Sequence, residues 1–403
     1  MKDELLEKIY LSIYQFINWL ESYGEISYDY QSYFSSTLCR TAKALYYKKP
    51  WIGTIAVTPM IFSEAFAPFA RRLFWRQQRF PIADAHYAMG FTFLSNIINK
   101  PKYYKKALHF LNVLEDTRCT GYKHYCWGYP FNWETRNGTI TAGTPLITTT
   151  PYVYEAFFDV YRIDKNDKWL HIMQSIAMHA FDDIKDFQIS PNACSCSYTP
   201  YDQGGVINAC AYRAFLLTSA SITFSDENYW RVAEKNLNFV LENQQPNGSW
   251  SYAIDGIRDF VDHFHTCFVL KALAKIEKLT GHQGCKQAIE RGVKYYVKNL
   301  FDEQGLPKPF SKAPRLTVYR KELYDYAECI NLCLLLKNRF EELNGILSNV
   351  LTDLLLNWQK NDGSFRSRKL LLGWDNVPMH RWAQSQLFRS LCFLLYQEKQ
   401  TDR

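Results

Sequence analysis

Six short stretches of this chain place groups that can move protons or hold anions where a helix is about to begin. They are Asp84 with His86, Thr150 with Tyr152, Asp202 with Asn208, His263 with His265, Tyr324 with Tyr326, and His380 with Arg381. Imidazole and a suitably tuned phenol give and take protons. A guanidinium holds a planar anion. Helix starts add unpaired N–H groups and the positive end of the backbone dipole. If all six junctions face one mouth, that mouth is suited to acid–base chemistry on an anionic molecule.

The two histidines cannot share one direction, because residues two apart on a helix diverge by about 200°. They also lack the i, i+4 spacing of a helical metal pair, so no metal is expected. His265 is preferred for chemistry, since the matching positions of the other junctions are polar too. Tyr324 and Tyr326 are the candidate acid–base partners. Arg381, Asn208, Asp202, His86, His380 and Tyr152 are candidate substrate contacts. The run Tyr125–Glu134 carries five aromatics and Asn132, and its Trp127, Tyr129, Asn132 and Trp133 would make a platform for a sugar ring. Trp250 and Tyr252, in another long link, would extend it.

Helical periodicity dominates the elements that must position these groups. The spacing predicts helices near 3–22, 37–48, 51–69, 85–98, 103–116, 151–163, 167–186, 206–224, 226–244, 263–280, 283–301, 323–338, 340–358 and 380–399. Short links such as 162–167 and 279–282 alternate with long ones at 117–150, 187–205, 245–262, 302–322 and 359–379. Strict alternation of this kind predicts an all-α (α/α)6-type toroid, inner helices alternating with outer ones and the long loops crowning one end. A surplus hairpin is expected at 1–48, as an addition to a single domain spanning 1–403. One unit visibly recurs: Gln244-Gln245-Pro246-Asn247-Gly248-Ser249-Trp250 is echoed by Gln359-Lys360-Asn361-Asp362-Gly363-Ser364-Phe365.

Aromatic content of 16%, with 28 Tyr and 11 Trp, suits polyol surfaces as well as a core. The net charge of +7 mildly favours an acidic partner, and no nucleic-acid motif is present. Eleven cysteines, several inside apolar helical stretches, read as buried thiols of a reducing compartment. No stretch has the form of a signal peptide or the length of a membrane span, so a soluble, cytoplasmic protein without cofactor is expected. Asp182-Asp183-Ile184-Lys185-Asp186 matches a magnesium-diphosphate motif, but no second acidic motif accompanies it. The Gln-x-x-x-Gly-x-Trp spacing resembles the QW repeat of triterpene cyclases, whose catalytic DxDD acid is absent here.

Two segments carry a broader resemblance. One is Cys126-Trp127-Gly128-Tyr129-Pro130-Phe131-Asn132-Trp133 with Thr149-Thr150-Pro151-Tyr152-Val153. The other is Ser249-Trp250-Ser251-Tyr252 with Asp262-His263-Phe264-His265-Thr266 and Tyr324-Asp325-Tyr326-Ala327. From about Pro50 onward the chain resembles α/α-toroid proteins of bacterial surface-polysaccharide biosynthesis. Those are similar to the helical domain of glucuronyl C5-epimerases and to the toroid domain of polysaccharide lyases. The β-rich regions that precede the helical domain of heparan-type epimerases have no counterpart in this sequence. The resemblance implies a uronate-containing oligosaccharide or polysaccharide as partner and proton abstraction at C5, by an epimerase or a lyase. It implies His265 and Tyr326 or Tyr324 as acid and base, with Arg381 and Asn208 on the carboxylate. A glycoside hydrolase using two of Asp202, Asp262, Glu322, Asp325 and Asp375 is the alternative. A non-catalytic glycan-binding protein is another, and a terpene cyclase is disfavoured.

Overall fold

The computed structural model describes residues 3–98, 100–314 and 317–401. Among them are fourteen α-helices: α1 (Asp3–Tyr23), α2 (Thr37–Lys48), α3 (Pro50–Phe66), α4 (Pro81–Ile97), α5 (Pro101–Asp116), α6 (Thr150–Asp164), α7 (Asp167–Met178), α8 (Ile207–Phe224), α9 (Glu227–Glu242), α10 (His263–Thr280), α11 (Gln283–Asn299), α12 (Leu323–Leu336), α13 (Glu342–Asp353) and α14 (Ser385–Thr401). The predicted helices at 167–186, 340–358 and 380–399 each contain a π-helical turn, at 179–183, 354–358 and 380–384. Short antiparallel strands, which periodicity did not predict, stiffen the long loops.

Helices α4, α6, α8, α10, α12 and α14 form an inner ring, which closes because α14 packs against α4. These helices are buried nearly all round; in α4 every residue from Pro81 to Leu94 is buried. They therefore read as apolar without a clear polar stripe. The outer helices bury one face only. In α9 it is Tyr229, Ala233, Asn236, Leu237 and Val240, a helical repeat that packs on α8. The architecture is an (α/α)6 toroid, as the alternation of links predicts.

The recurring unit is what fastens neighbouring hairpins. Gln244 Nε2 donates to Gly248 O at 3.0 Å and to Ala288 O of α11 at 2.9 Å. Gln359 Nε2 repeats this, donating to Gly363 O at 3.0 Å and to Ser12 O of α1 at 3.0 Å. Both glycines have positive φ, +95° and +92°, and lie on a helix backbone. A Cβ would stand 2.3 Å from Arg291 O in one case and 2.4 Å from Gln15 O in the other. The second copy thus docks the last loop onto the first helix and seals the ring. Consequently α1 is the sixth outer helix, paired with α14. The addition expected at 1–48 is instead the α2–α3 hairpin, which carries a small apolar cluster of its own around Tyr33, Cys39, Val57 and Met60.

Candidate functional site

The mouth is best followed from Asp262, the N-cap of α10. Its backbone is extended (φ −113°, ψ 170°), so its carboxylate folds back over the first turn. Oδ1 accepts the N–H of His265 at 3.0 Å, and Oδ2 accepts Nδ1–H of the His265 ring at 2.6 Å. A carboxylate on Nδ1 fixes that nitrogen as the protonated one and leaves Nε2 with a free lone pair. Asp262 is buried, whereas the His265 side chain is 21% exposed. Nε2 has no hydrogen-bond partner among the described residues.

The other candidate histidines differ in kind. His263 lies beneath the mouth with Nδ1 3.2 Å from Leu300 O and Nε2 2.8 Å from the Tyr296 hydroxyl. Burial pushes its pKa down to about 3. His380 is likewise spent, on the Tyr87 hydroxyl at 2.5 Å and Gly24 O at 3.0 Å, and burial lowers its pKa to about 4. His86 is fully buried with neither ring nitrogen bonded. Its ring packs 4.5 Å from that of Tyr152, and burial, reinforced by Arg389, Lys271 and Lys275, holds it neutral.

Aromatic rings form a collar joining His265 to the other loops. His265 packs against Tyr252 (4.7 Å), Phe264 (4.4 Å) and Phe268 (5.5 Å). Phe264 contacts Tyr324 (5.1 Å) and Trp382 (5.5 Å), and Trp382 contacts Tyr30 (5.1 Å). The Arg381 guanidinium lies 4.9 Å from Trp382 and 4.5 Å from Tyr129, which adjoins Trp133; Trp133 in turn meets Tyr198. His265, Tyr324, Arg381, Tyr129, Trp133 and Tyr252 therefore surround one region. The Tyr324 hydroxyl makes no hydrogen bond among the described residues, and burial holds its pKa well above the ordinary phenol value.

Several expected contacts lie elsewhere, each for a visible reason. Tyr326 is two residues past Tyr324, so it faces the outer layer, where its hydroxyl donates to Asp353 Oδ2 at 2.7 Å. Trp127 and Trp250 are buried pins: their Nε1–H groups donate to Leu114 O at 2.7 Å and Val240 O at 2.9 Å. Asn132 Oδ1 accepts the Ala142 N–H within its own loop. Asp202 is consumed by a turn, accepting from the N–H groups of Tyr198 and Gly204 at 2.9 and 2.8 Å. Arg381 does face the mouth, but Asp29 binds it with both oxygens, at 2.9 and 2.6 Å, and it is 4% exposed. It cannot also clamp a substrate carboxylate without giving up that pair. Tyr152 shares a 2.6 Å hydrogen bond with Tyr212, and Asn208 is buried with Oδ1 unpaired.

The carboxylates proposed for hydrolysis are mostly engaged too. Glu322 accepts from Arg368 at 2.6 Å, and Asp375 from Arg71 at 2.6 Å. Asp325 is the exception: it is fully buried and neither oxygen has a partner. Burial, with Glu322 and Asp262 nearby, holds its pKa well above the usual carboxylate range. In the acidic motif at 182–186, Asp182, Asp183 and Asp186 each turn an oxygen to a separate cationic or imidazole partner, His124, His179 and Arg213. Among the described residues no group of three or more His, Cys, Asp or Glu is arranged for a metal. All eleven cysteines are free and buried. A cavity of 1770 Å³ opens at the opposite end of the toroid, between the C-terminal ends of α10 and α12 and the side of α13, away from His265.

Asp29 and Tyr30 were missed because nothing near them in the chain points to Arg381. The orienting role of Asp262 had a local signal, an N-cap carboxylate three residues before His265.

No family model and no curated protein matches the sequence. Solved structures do match in fold. A cellobiose 2-epimerase from Bacillus thermoamylovorans superposes with a TM-score of 0.63 at 10% identity, covering 79% of this chain and 88% of that one. An unsaturated glucuronyl hydrolase specific for heparin gives 0.59 at 11% identity, covering 81% and 88%. A polysaccharide lyase gives 0.54 at 11%, covering 79% and 90%. The chain therefore shares the (α/α)6 toroid of carbohydrate-active enzymes whose reactions differ.

Proposed function

We propose that the protein acts on a uronate-containing glycan by removing the proton at C5, as an epimerase or a lyase, in the making of bacterial surface polysaccharide. The observation that carries this reading is His265: an imidazole with Nδ1 committed to Asp262 and Nε2 free, set in an aromatic collar at the toroid mouth. That is the arrangement of a general base. His265 takes the C5 proton, and charge spreads into the carboxylate. Return of a proton to the opposite face gives the epimer; loss of the C4 substituent gives the unsaturated product. Tyr324, with its unbonded hydroxyl beside Phe264 and Phe268, is the proton donor. With Arg381 neutralised by Asp29, positive potential for the carboxylate comes from the inner-helix N-termini that end at the mouth.

Asp325 favours a second reading. Neither of its oxygens has a partner and burial holds its pKa above the usual carboxylate range, and a raised pKa is what the acid of a glycoside hydrolase requires. Incubation with uronate oligosaccharides in D₂O separates the outcomes. Deuterium at C5 marks epimerisation, and a new ultraviolet-absorbing double bond marks elimination. His265→Ala should lower either by about 10²-fold or more. New reducing ends without either signal transfer the assignment to hydrolysis. Full turnover by His265→Ala removes this histidine from the mechanism.

A further inference from the structure

The α2–α3 hairpin presents an apolar surface to solvent. Along α3, Trp51, Ile55, Phe62 and Phe66 are exposed, Trp51 by 91% and Ile55 by 75%. At 100° per residue they fall within about 60° of arc, so they make one stripe. Phe69 and Leu73 continue it beyond the helix end, also exposed. The opposite face of α3 is already satisfied: Val57 and Met60 pack in the hairpin's own cluster, and Gly53 lies against the α2 backbone at Tyr46. The exposed stripe is thus surplus to folding, and a contiguous patch of large apolar side chains marks a surface that is covered in use.

Charge identifies the cover. Residues 30–83 hold eight Lys or Arg and one acidic residue, Glu64. That excess of seven equals the net +7 of the whole chain, so the remainder of the sequence is balanced. Lys48 and Lys49 stand at the start of the stripe and Arg72 and Arg76 at its end. All four are exposed, and none forms an ion pair among the described residues. A stripe of Trp, Ile and Phe with cations at both ends fits an interface of hydrocarbon beneath anionic headgroups. Self-association would instead bring two such clusters of cations together. The hairpin and the turn that follows it are fixed beside the mouth, through Glu64 on Arg368 at 2.5 Å and Arg71 on Asp375 at 2.6 Å. No helix among the described residues is long and apolar enough to cross a membrane.

We infer that the α2–α3 hairpin docks the protein on an anionic lipid surface, α3 lying in the plane of the interface with the toroid mouth alongside. This does not depend on which reaction the mouth performs. The test is co-sedimentation of the full chain with phosphatidylcholine vesicles, with and without phosphatidylglycerol. Wild type should bind the anionic vesicles and be released by salt. The variant Trp51→Ser/Ile55→Ser/Phe62→Ser and the variant Lys48→Glu/Lys49→Glu/Arg72→Glu should each lose about 10-fold or more of that binding. Both alter exposed side chains, so circular dichroism and thermal unfolding should match wild type. Vesicle binding that is absent, or unchanged in either variant, overturns the inference. So does a wild-type dimer in sedimentation that the Ser variant disperses, which would give the stripe to a second copy of the chain.

Discussion

Asp262→Asn isolates the feature on which the catalytic reading rests. Asp262 performs two tasks with two oxygens, capping α10 through the His265 N–H at 3.0 Å and holding His265 Nδ1–H at 2.6 Å. Asparagine is as good an N-cap as aspartate, so the helix start survives. Loss of one charge-assisted bond costs at most about 1.5–3 kcal/mol of stability. The ring is affected differently. Once Oδ1 takes the cap, the amide NH₂ faces Nδ1, which must then accept a hydrogen bond rather than donate one. The proton moves to Nε2, and the lone pair needed for C–H abstraction is gone. Removing a general base costs about 10²–10⁴ in rate, or about 2.7–5.4 kcal/mol at 1.36 kcal/mol per tenfold. The assay is deuterium uptake or double-bond formation by folded Asp262→Asn, compared with His265→Gln and the double variant. Because the two residues act as one unit, the double variant should lose no more than His265→Gln alone. Activity of Asp262→Asn within threefold of wild type, or losses that multiply in the double variant, would refute the dyad.

Two further outcomes follow from where other side chains lie. Tyr326→Phe should leave turnover unchanged while lowering stability by about 1–2 kcal/mol in denaturant unfolding, since its hydroxyl serves Asp353 and not the mouth; a large loss of turnover with unchanged stability would place Tyr326 in the chemistry after all. Acid should draw down the share of stability held by the buried imidazoles below about pH 6.5, against an opposite contribution from Asp84 and Asp159, whose pKa values burial raises to about 7, and from Asp325. His263 and His380 are held near 3 and 4, below the ordinary 6.5, so the unfolded chain binds their protons first. Their contribution is complete above 6.5 and drains away as pH falls, by about 3 kcal/mol each at about pH 4.5. Thermal unfolding of wild type against His380→Gln across that range reads it, since the carboxyl contributions cancel in the difference, and a Tm difference that stays flat from neutral pH to about pH 4.5 would contradict the burial of a neutral imidazole.

What the amino-acid order determined by itself was whatever depends on near neighbours. Helical period, the alternation of short and long links, and the paired Gln244–Gly248 and Gln359–Gly363 units are local, and they were enough for the toroid. The Asp262–His265 pair was equally within reach, because an N-cap and the third residue after it meet in any helix. Tyr324 and Tyr326 mark the limit of that reasoning: two residues apart on one helix, they must face apart, but only packing chose Tyr324 for the mouth and Tyr326 for Asp353. Arg381 and His380 were legible as residues at a junction, not as spent ones. Their partners, Asp29 and Gly24, are 352 and 356 positions away. Such partners meet only when α1 completes the ring, and a side chain's freedom to bind a ligand depends on who has bound it already. Tertiary closure decided that, and with it which polar groups remain open at the mouth.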